Sequence, residues 1–435
     1  MNREPLNRQS LNRESSNREL SNPAPFTRST LSRRQFILAT SATLIGAACT
    51  GSSGSAKAKP ATDSPGTLAL PTGGKTAATS APKDGILVVV ELNGGNDAIN
   101  TVVPITGKYH DIRPKIGHAD DTLLALPGTK EYGLHPDLVA MKDLFGAGRV
   151  TTLAGVGFAN PTRSHFAALD MWWQATPGTA SPTGWLGRGL DEIAANSPVD
   201  SSAVSLGPSG TALAATKTHT TAVNEPKRFR LEPTKGADKD VLAQSWAALS
   251  PDNSDALAAI GLFANLTDAD PSEDDISDTT GGKTITGQLV TAARLIASDP
   301  TIRTIYISAH GFDTHADQIR RHSELMKDLS VGIRTFFERM AIAKLDNRIM
   351  LMTTSEFGRR TYENASGGTD HGKAGALFIV SPNSSGTLYG GLNLDDLDDG
   401  DLKPQIDPRS LYAVGLDWLG ADSDTILKGS FERFV

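Results

Sequence analysis

Between Thr301 and Gly372 three polar clusters each follow a place where a strand should end. An apolar, β-rich run from Ile302 to Ile307 leads to His310, Asp313 and His315. A second run, Ile349 to Met352, leads to Ser355, Glu356, Arg359 and Arg360. The third cluster is GGTDHG, with Asp370 and His371 between glycines. Between the first two, Leu325, Leu329, Ile333 and Phe336–Phe337 recur at helical spacing. Strand, helix, strand reads as a βαβ unit. Open α/β sheets bind ligands at the carboxyl ends of their strands, so carboxylates and imidazoles gathered there point to a metal or hydrolytic site.

The chain has 435 residues, 38% of them hydrophobic, enough for one or two large cores. A net charge of −7 and the absence of a basic patch argue against nucleic acid as a partner. Residues 1–30 repeat Asn-Arg at Asn2, Asn7, Asn12 and Asn17 with almost no apolar content, the composition of a disordered extension. Residues 31–49 follow with Ser32-Arg33-Arg34-Gln35-Phe36 and an apolar run to Ala48. That run is shorter than the roughly 20 residues a membrane span needs, and suits a signal peptide. The segment resembles a twin-arginine export signal, which implies the twin-arginine machinery as a partner and a location in the periplasm, at the cell surface or outside the cell. Cys49 is the only cysteine. It has the place of a lipidation site, with plain cleavage in the Ala/Gly-rich stretch as the alternative. The membrane is then met only through the signal or a lipid anchor. Residues 50–82 read as a flexible Ser/Ala/Pro/Gly linker, and 83–435 as the folded domain.

That domain opens on Ile86 to Leu92, a continuous apolar run expected of a strand buried on both faces. It exits into Asn93-Gly94-Gly95-Asn96-Asp97, where Asn93 or Asp97 is placed to face a ligand; an ordinary Gly-Asn turn is the alternative. A second strand from Arg149 breaks at Asn160-Pro161-Thr162-Arg163-Ser164-His165, and a helix is expected over Phe166–Gln174. A hydroxyl at a helix start, Thr162 or Ser164, is either a nucleophile favoured by backbone N–H donors or a plain N-cap. Arg163 beside it is expected to bind an anionic group or to pair with a carboxylate. From Thr183 to about Gly282 the signals weaken, with a short strand at Ser202–Leu206 and an acidic loop within Leu262–Asp278. Asp395-Asp-Leu-Asp-Asp-Gly-Asp imitates a calcium loop but carries Leu397 and Ile406 where ligands are required, so it reads as an acidic hairpin tip.

The ordered set ELNGGNDAINTVVP, NPTRSHFAALDMW, HGFDTH, TSEFGRR and GTDHG resembles the domain-of-unknown-function 1501 family. That family is similar to the alkaline phosphatase and sulfatase superfamily. The resemblance implies an α/β fold with a central, mostly parallel sheet, helices on both faces and metal ligands at the strand ends. It carries Asp313, His315 and His371 over as metal ligands, with Asn93 or Asp97 at the end of the first strand. Thr354-Ser355-Glu356-Phe357-Gly358 looks like the superfamily's Thr-Ser-Asp-His-Gly, with Phe357 in place of an imidazole. No cysteine stands at the nucleophile position, which excludes formylglycine chemistry.

Asp313, His315 and His371 would form a zinc-type site with an open position. A second site of Asn93 or Asp97 with Glu356 would suit Ca²⁺ or Mg²⁺ or hold no metal, and Glu356 would bind a metal or act as base. His310 and Asp370 would orient ligands, Arg163 would steady the oxyanion, and Arg359 with Arg360 would either hold an anionic substrate or form a salt-bridged loop. The function expected is metal-assisted hydrolysis of a phosphate or sulfate ester, on a small molecule or a polysaccharide. The alternative is a non-catalytic surface protein that keeps the fold.

Overall fold

The computed structural model describes residues 82, 84–196, 202–218, 220–223 and 284–435. The N-terminal extension, the twin-arginine-like segment, Cys49, nearly all of the linker and the acidic loop within 262–278 lie outside the described residues.

Eight strands form the central sheet. In chain order they are β1 (Ile86–Asn93), β2 (Val150–Val156), β3 (Ser202–Leu206), β4 (Thr220–Val223), β5 (Ile302–His310), β6 (Ile349–Thr354), β7 (Gly375–Val380) and β8 (Leu388–Gly390). Their spatial order is β8-β2-β7-β6-β1-β5-β3-β4, and only β7 runs against its neighbours. The expected α/β fold with a mostly parallel sheet is therefore present. The expected strand–helix–strand run is also there, as β5, a helix over Gln318–Ile342 and β6. Its strands do not pair, however. β1 lies between them, with Val90 opposite Ile307 on one side and Thr353 on the other.

β1 explains the three-layer architecture. Successive side chains of a strand point to opposite faces. Ile86, Val88, Val90 and Leu92 enter one buried cluster, and Leu87 and Val89 the other. On the first face lie α3 (Ile285–Ser298) and α4 (Gln318–Ile342), which present Leu289, Ala292, Ile296, Met326, Leu329, Ile333 and Phe337 at intervals of three and four. On the second lie α1 (His165–Gln174), α2 (Trp185–Asn196) and α5 (Pro408–Leu419), with Trp172, Trp185, Leu190, Leu411 and Trp418. Each aliphatic side chain buried in these faces contributes about 2 kcal/mol. No helix among the described residues is long and apolar enough to cross a membrane.

Because β1, β5 and β6 are parallel and adjacent, their carboxyl ends open on one edge, where the polar clusters meet.

Candidate metal centre

Four side chains converge there from three segments. Asp313 and His315 follow β5, His371 precedes β7, and His165 is the first residue of α1. Donor atoms of His165, Asp313 and His371 all lie within 4.8 Å of one another. His371 Nε2 is 3.1 Å from Asp313 Oδ1, and His165 Nε2 is 3.6 Å from Asp313 Oδ2. His315 Nε2 joins them, 3.1 Å from Asp313 Oδ1 and 3.0 Å from His371 Nε2.

The second nitrogen of each ring decides what the first can do. His165 Nδ1 meets Glu356 Oε1 at 2.7 Å, His315 Nδ1 meets Asp370 Oδ1 at 3.1 Å, and His371 Nδ1 meets the Arg163 carbonyl at 2.8 Å. All three partners are acceptors, so each Nδ1 carries a proton, assigned from these hydrogen bonds, and each Nε2 is the nitrogen left to face the Asp313 carboxylate. At His315 and His371 two Nε2 atoms meet at 3.0 Å, and two lone pairs cannot face each other at that distance without a cation. A shared cation, proton or metal, relieves that arrangement. An imidazole tied at one nitrogen to a carboxylate or carbonyl and bare at the other is how metal-bound histidines are held. The donor separations also bracket the roughly 3.3 Å edge of a tetrahedron with bonds of about 2 Å.

The electrostatics fit. Against the upward pull of burial, hydrogen bonding and charge from Arg359 hold the Asp313 carboxyl below the usual range. Burial lowers His371, against the raising effect of its bonds to the Arg163 carbonyl and Asp313. Burial raises the Glu356 carboxyl, opposed by its bond to His165. Glu356 Oε1 also accepts the Gly94 N–H at 2.8 Å, while its buried Oε2 has no partner among the described residues.

Arg359 organises the loops. Its fully buried guanidinium donates to the carbonyls of Gly94, Gly95, Phe312 and Thr369 and, at 2.6 Å, to Asp313 Oδ1. It is thus shut off from solvent, and the expected role in substrate binding is corrected to one of positioning Asp313. Gly94 is the other fixed point. Its φ is +118°, and a Cβ would lie 2.2 Å from the Asp313 amide nitrogen. Gly94→Ala is therefore expected to cost on the order of 3 kcal/mol through strain and displacement of the Asp313 loop. Urea unfolding checks this; a loss below about 1 kcal/mol would show that the loops yield freely.

Other expected residues lie elsewhere or face away. Asp97 caps a short helix at Ala98–Thr101 and is ion-paired with Arg113 at 2.8 Å, both side chains fully buried. Gln318 Nε2 takes the same carboxylate at 2.5 Å. Asp97 is removed from the metal site, and the all-oxygen second site is not assembled. Asn93 Nδ2 turns back to Glu91 Oε1 at 3.2 Å rather than toward a ligand. His310 is exposed at the end of β5, without a hydrogen bond or ion pair among the described residues. The Arg163 guanidinium pairs with Asp399 and Asp401, away from any oxyanion; only its carbonyl reaches the centre. Ser164 is the exposed N-cap of α1 and makes no side-chain cap bond, while Thr162 Oγ1 accepts from Ser164 N at 3.2 Å. Asp370 takes the expected place behind His315.

Two buried or site-lining residues went unnoticed in the sequence. His165 follows the hydroxyls that drew attention at that strand exit. Glu91 is a lone charge within an apolar strand. Buried, and raised by that burial, it accepts from Tyr306 Oη and Trp173 Nε1, both at 2.5 Å. Phe357 packs against His371 with ring centres 4.6 Å apart.

Fold and site together define an α/β protein with a His/Asp cluster at the carboxyl edge of its sheet. The chain belongs to the family described as "Protein of unknown function (DUF1501)", whose model matches residues 157–433. No curated protein matches the sequence. Among solved structures it is similar to Ps i-CgsB in complex with k-i-k-neocarrahexaose, at 10% identity and TM-score 0.40 over 81% of this chain and 75% of that one. A protein in the alkaline phosphatase superfamily from Vibrio parahaemolyticus matches at 10% identity and TM-score 0.38, over 83% and 72%. The zinc complex of the C-terminal periplasmic domain of EcEptC from Escherichia coli matches at 9% and 0.38, over 80% and 88%.

Proposed function

We propose that this protein is an exported metal-dependent hydrolase acting on a phosphate or sulfate ester of a small molecule or polysaccharide. One observation carries the reading: three imidazoles, each with Nδ1 tied to an acceptor, turn their Nε2 atoms toward Asp313. Three nitrogens and one carboxylate suit Zn²⁺ rather than Ca²⁺ or Mg²⁺, which prefer oxygen. A divalent ion held by His165, Asp313 and His371, with His315 beside them, would keep a position for a water, lower its pKa and supply a Lewis acid.

The chain's own residues would do the rest. Glu356 keeps the proton of His165 on Nδ1, and Asp370 does the same for His315. Arg359 holds the Asp313 carboxylate ionised and in place. The Ser164 hydroxyl, exposed at the start of α1 beside His165, is the side-chain nucleophile for an ester anchored at the cluster. The twin-arginine-like segment supports delivery across the membrane as a folded, metal-loaded protein, and Cys49 would provide the lipid anchor.

The second reading is a non-catalytic binding protein. Phe357 fills an imidazole position, and both Arg163 and Arg359 are already paired with carboxylates. Elemental analysis of the purified protein, beside His371→Ala, tests the first reading. About one equivalent of zinc is expected in the wild type and loss of most of it in the variant. Absence of bound metal after reconstitution would reject the metallohydrolase. Bound metal without turnover in a screen of aryl phosphates, phosphodiesters and sulfates would favour the binding protein.

A further inference from the structure

The acidic run Asp395–Asp401 is no cation loop. Its aspartates face cations already present: Asp395 pairs with Lys108, Asp396 with Lys403, Asp398 with Lys373, and Asp399 and Asp401 with Arg163. Leu397–Asp398 and Asp401–Leu402 form a two-stranded hairpin. Its turn residues, Asp399 and Gly400, have φ of 54° and 76°, the positive pair that a tight hairpin turn demands.

Asp401 stands apart. The side chains of Asp395, Asp396, Asp398 and Asp399 are 59–87% exposed, whereas that of Asp401 is 0% exposed. Its Oδ2 takes the Arg163 guanidinium, and the Arg360 Nε lies 3.8 Å from Oδ1. Arg163 in turn offers its carbonyl to His371 Nδ1 at 2.8 Å. Arg360 is next to Arg359 and donates its N–H to the Asp370 carbonyl at 2.9 Å, on the other side of His371. One buried carboxylate therefore holds Arg163 by a hydrogen bond and lies near Arg360, and the backbones of these two arginines bond to His371 and to its neighbour Asp370.

We infer that Asp401 is a positioning residue for the metal centre: by holding Arg163 it keeps that residue's carbonyl on His371 Nδ1, and so keeps His371 Nε2 turned toward Asp313. The inference rests on reading the cluster as a metal site. Orienting partners of this kind change metal affinity about 10–100-fold when removed. A merely structural hairpin anchor would alter stability and leave affinity and ligand geometry alone.

The test is a Co²⁺ titration of the metal-free full-length protein, following the visible absorption of the bound ion. Asp401→Asn is expected to weaken Co²⁺ binding about 10–100-fold and to shift or broaden the absorption band. Asp401→Glu should restore most of the affinity. Asp398→Asn, which removes an exposed pair of the same hairpin, should bind within about twofold of wild type. If Asp401→Asn does not fold, Arg163→Met decides, because it keeps the carbonyl and loses only the guanidinium; the same loss of affinity is expected. Wild-type affinity and absorption in folded Asp401→Asn or folded Arg163→Met would overturn the inference while leaving the metal site standing. A wild-type protein that binds no Co²⁺ would overturn the metal reading and the inference with it.

Discussion

Replacing Arg113 with alanine is expected to destabilise the protein by about 3–5 kcal/mol, the usual cost of leaving a buried charge without its partner. Arg113 and Asp97 are both fully buried. The guanidinium contacts both Asp97 oxygens, at 2.8 and 3.3 Å, and donates to Asn100 Oδ1 and to the carbonyls of Thr361 and Arg360. Burial pulls the Asp97 carboxyl up, and Arg113 pulls it below the usual range. Without the arginine, Asp97 keeps only the Asn100 N–H and the Gln318 amide, and burial then favours a protonated acid. The pair also ties the exit of β1 to residues 360–361, directly after Arg359, so the damage should reach the metal centre. Thermal unfolding should show a loss on the order of 10 °C. The double variant Arg113→Ala/Asp97→Ala should recover part of the loss, because no charge is left stranded. Equal stability of wild type and Arg113→Ala would show that water enters and solvates Asp97, contrary to its full burial.

That pair also marks how far the sequence could be read. Asp97 ends a glycine-rich strand exit, and from sequence a metal ligand there looks the same as a helix cap. Its partner lies sixteen residues on, within a segment that carried no distinguishing pattern. Arg359 was misplaced for a related reason. Its neighbourhood reads as a polar loop, yet it is the buried hub of several loops, and burial of an arginine by backbone carbonyls leaves no periodic trace. The strand from Ile86 was legible because no alternation interrupts it, as expected when both faces are covered. Its insertion between β5 and β6 was not, since parallel neighbours are set by long-range packing and not by order in the chain. Asp313, His315, Glu356, Asp370 and His371 were legible because strand exits could be placed from apolar runs. His165 stood at an exit too, but a hydroxyl was expected to be the informative residue there.

Acid should weaken the fold through histidines remote from the metal centre. His118, His135 and His322 form a file of rings with centres 4.4 and 5.2 Å apart. Each has one buried ring nitrogen without a hydrogen-bond partner among the described residues. His135 Nδ1 accepts the Asp137 N–H at 3.1 Å, so a second proton there would face another N–H. His322 Nε2 meets Asn96 Oδ1 at 3.1 Å, and a second proton would sit on Nδ1 with no acceptor. Burial is the largest cause in all three: it lowers His118, brings His322 down to about 4, and lowers His135 further, with the neighbouring imidazoles adding to the effect in His135 and His322. Asp97 opposes the shift of His118 and His322, and Asp137 that of His118, while Arg113 adds to both and Arg359 to that of His322. The sign follows from linkage. Between the unfolded value near 6.5 and the folded value, only the unfolded chain takes up the proton, so stability is full above about pH 6.5 and falls as pH drops. For His322 the loss reaches about 3 kcal/mol by pH 4, and His135 adds a loss in the same direction. The buried carboxyls of Glu91 and Glu356, raised by burial, act in the opposite direction over part of this window, so the decisive quantity is a difference between variants. In urea unfolding between pH 4.5 and 6, His322→Gln should lose stability with falling pH less steeply than wild type, by up to about 1.4 kcal/mol per pH unit, which is one proton fewer taken up on unfolding. Parallel slopes would mean that His322 already carries its proton in the folded state and that a buried partner satisfies it.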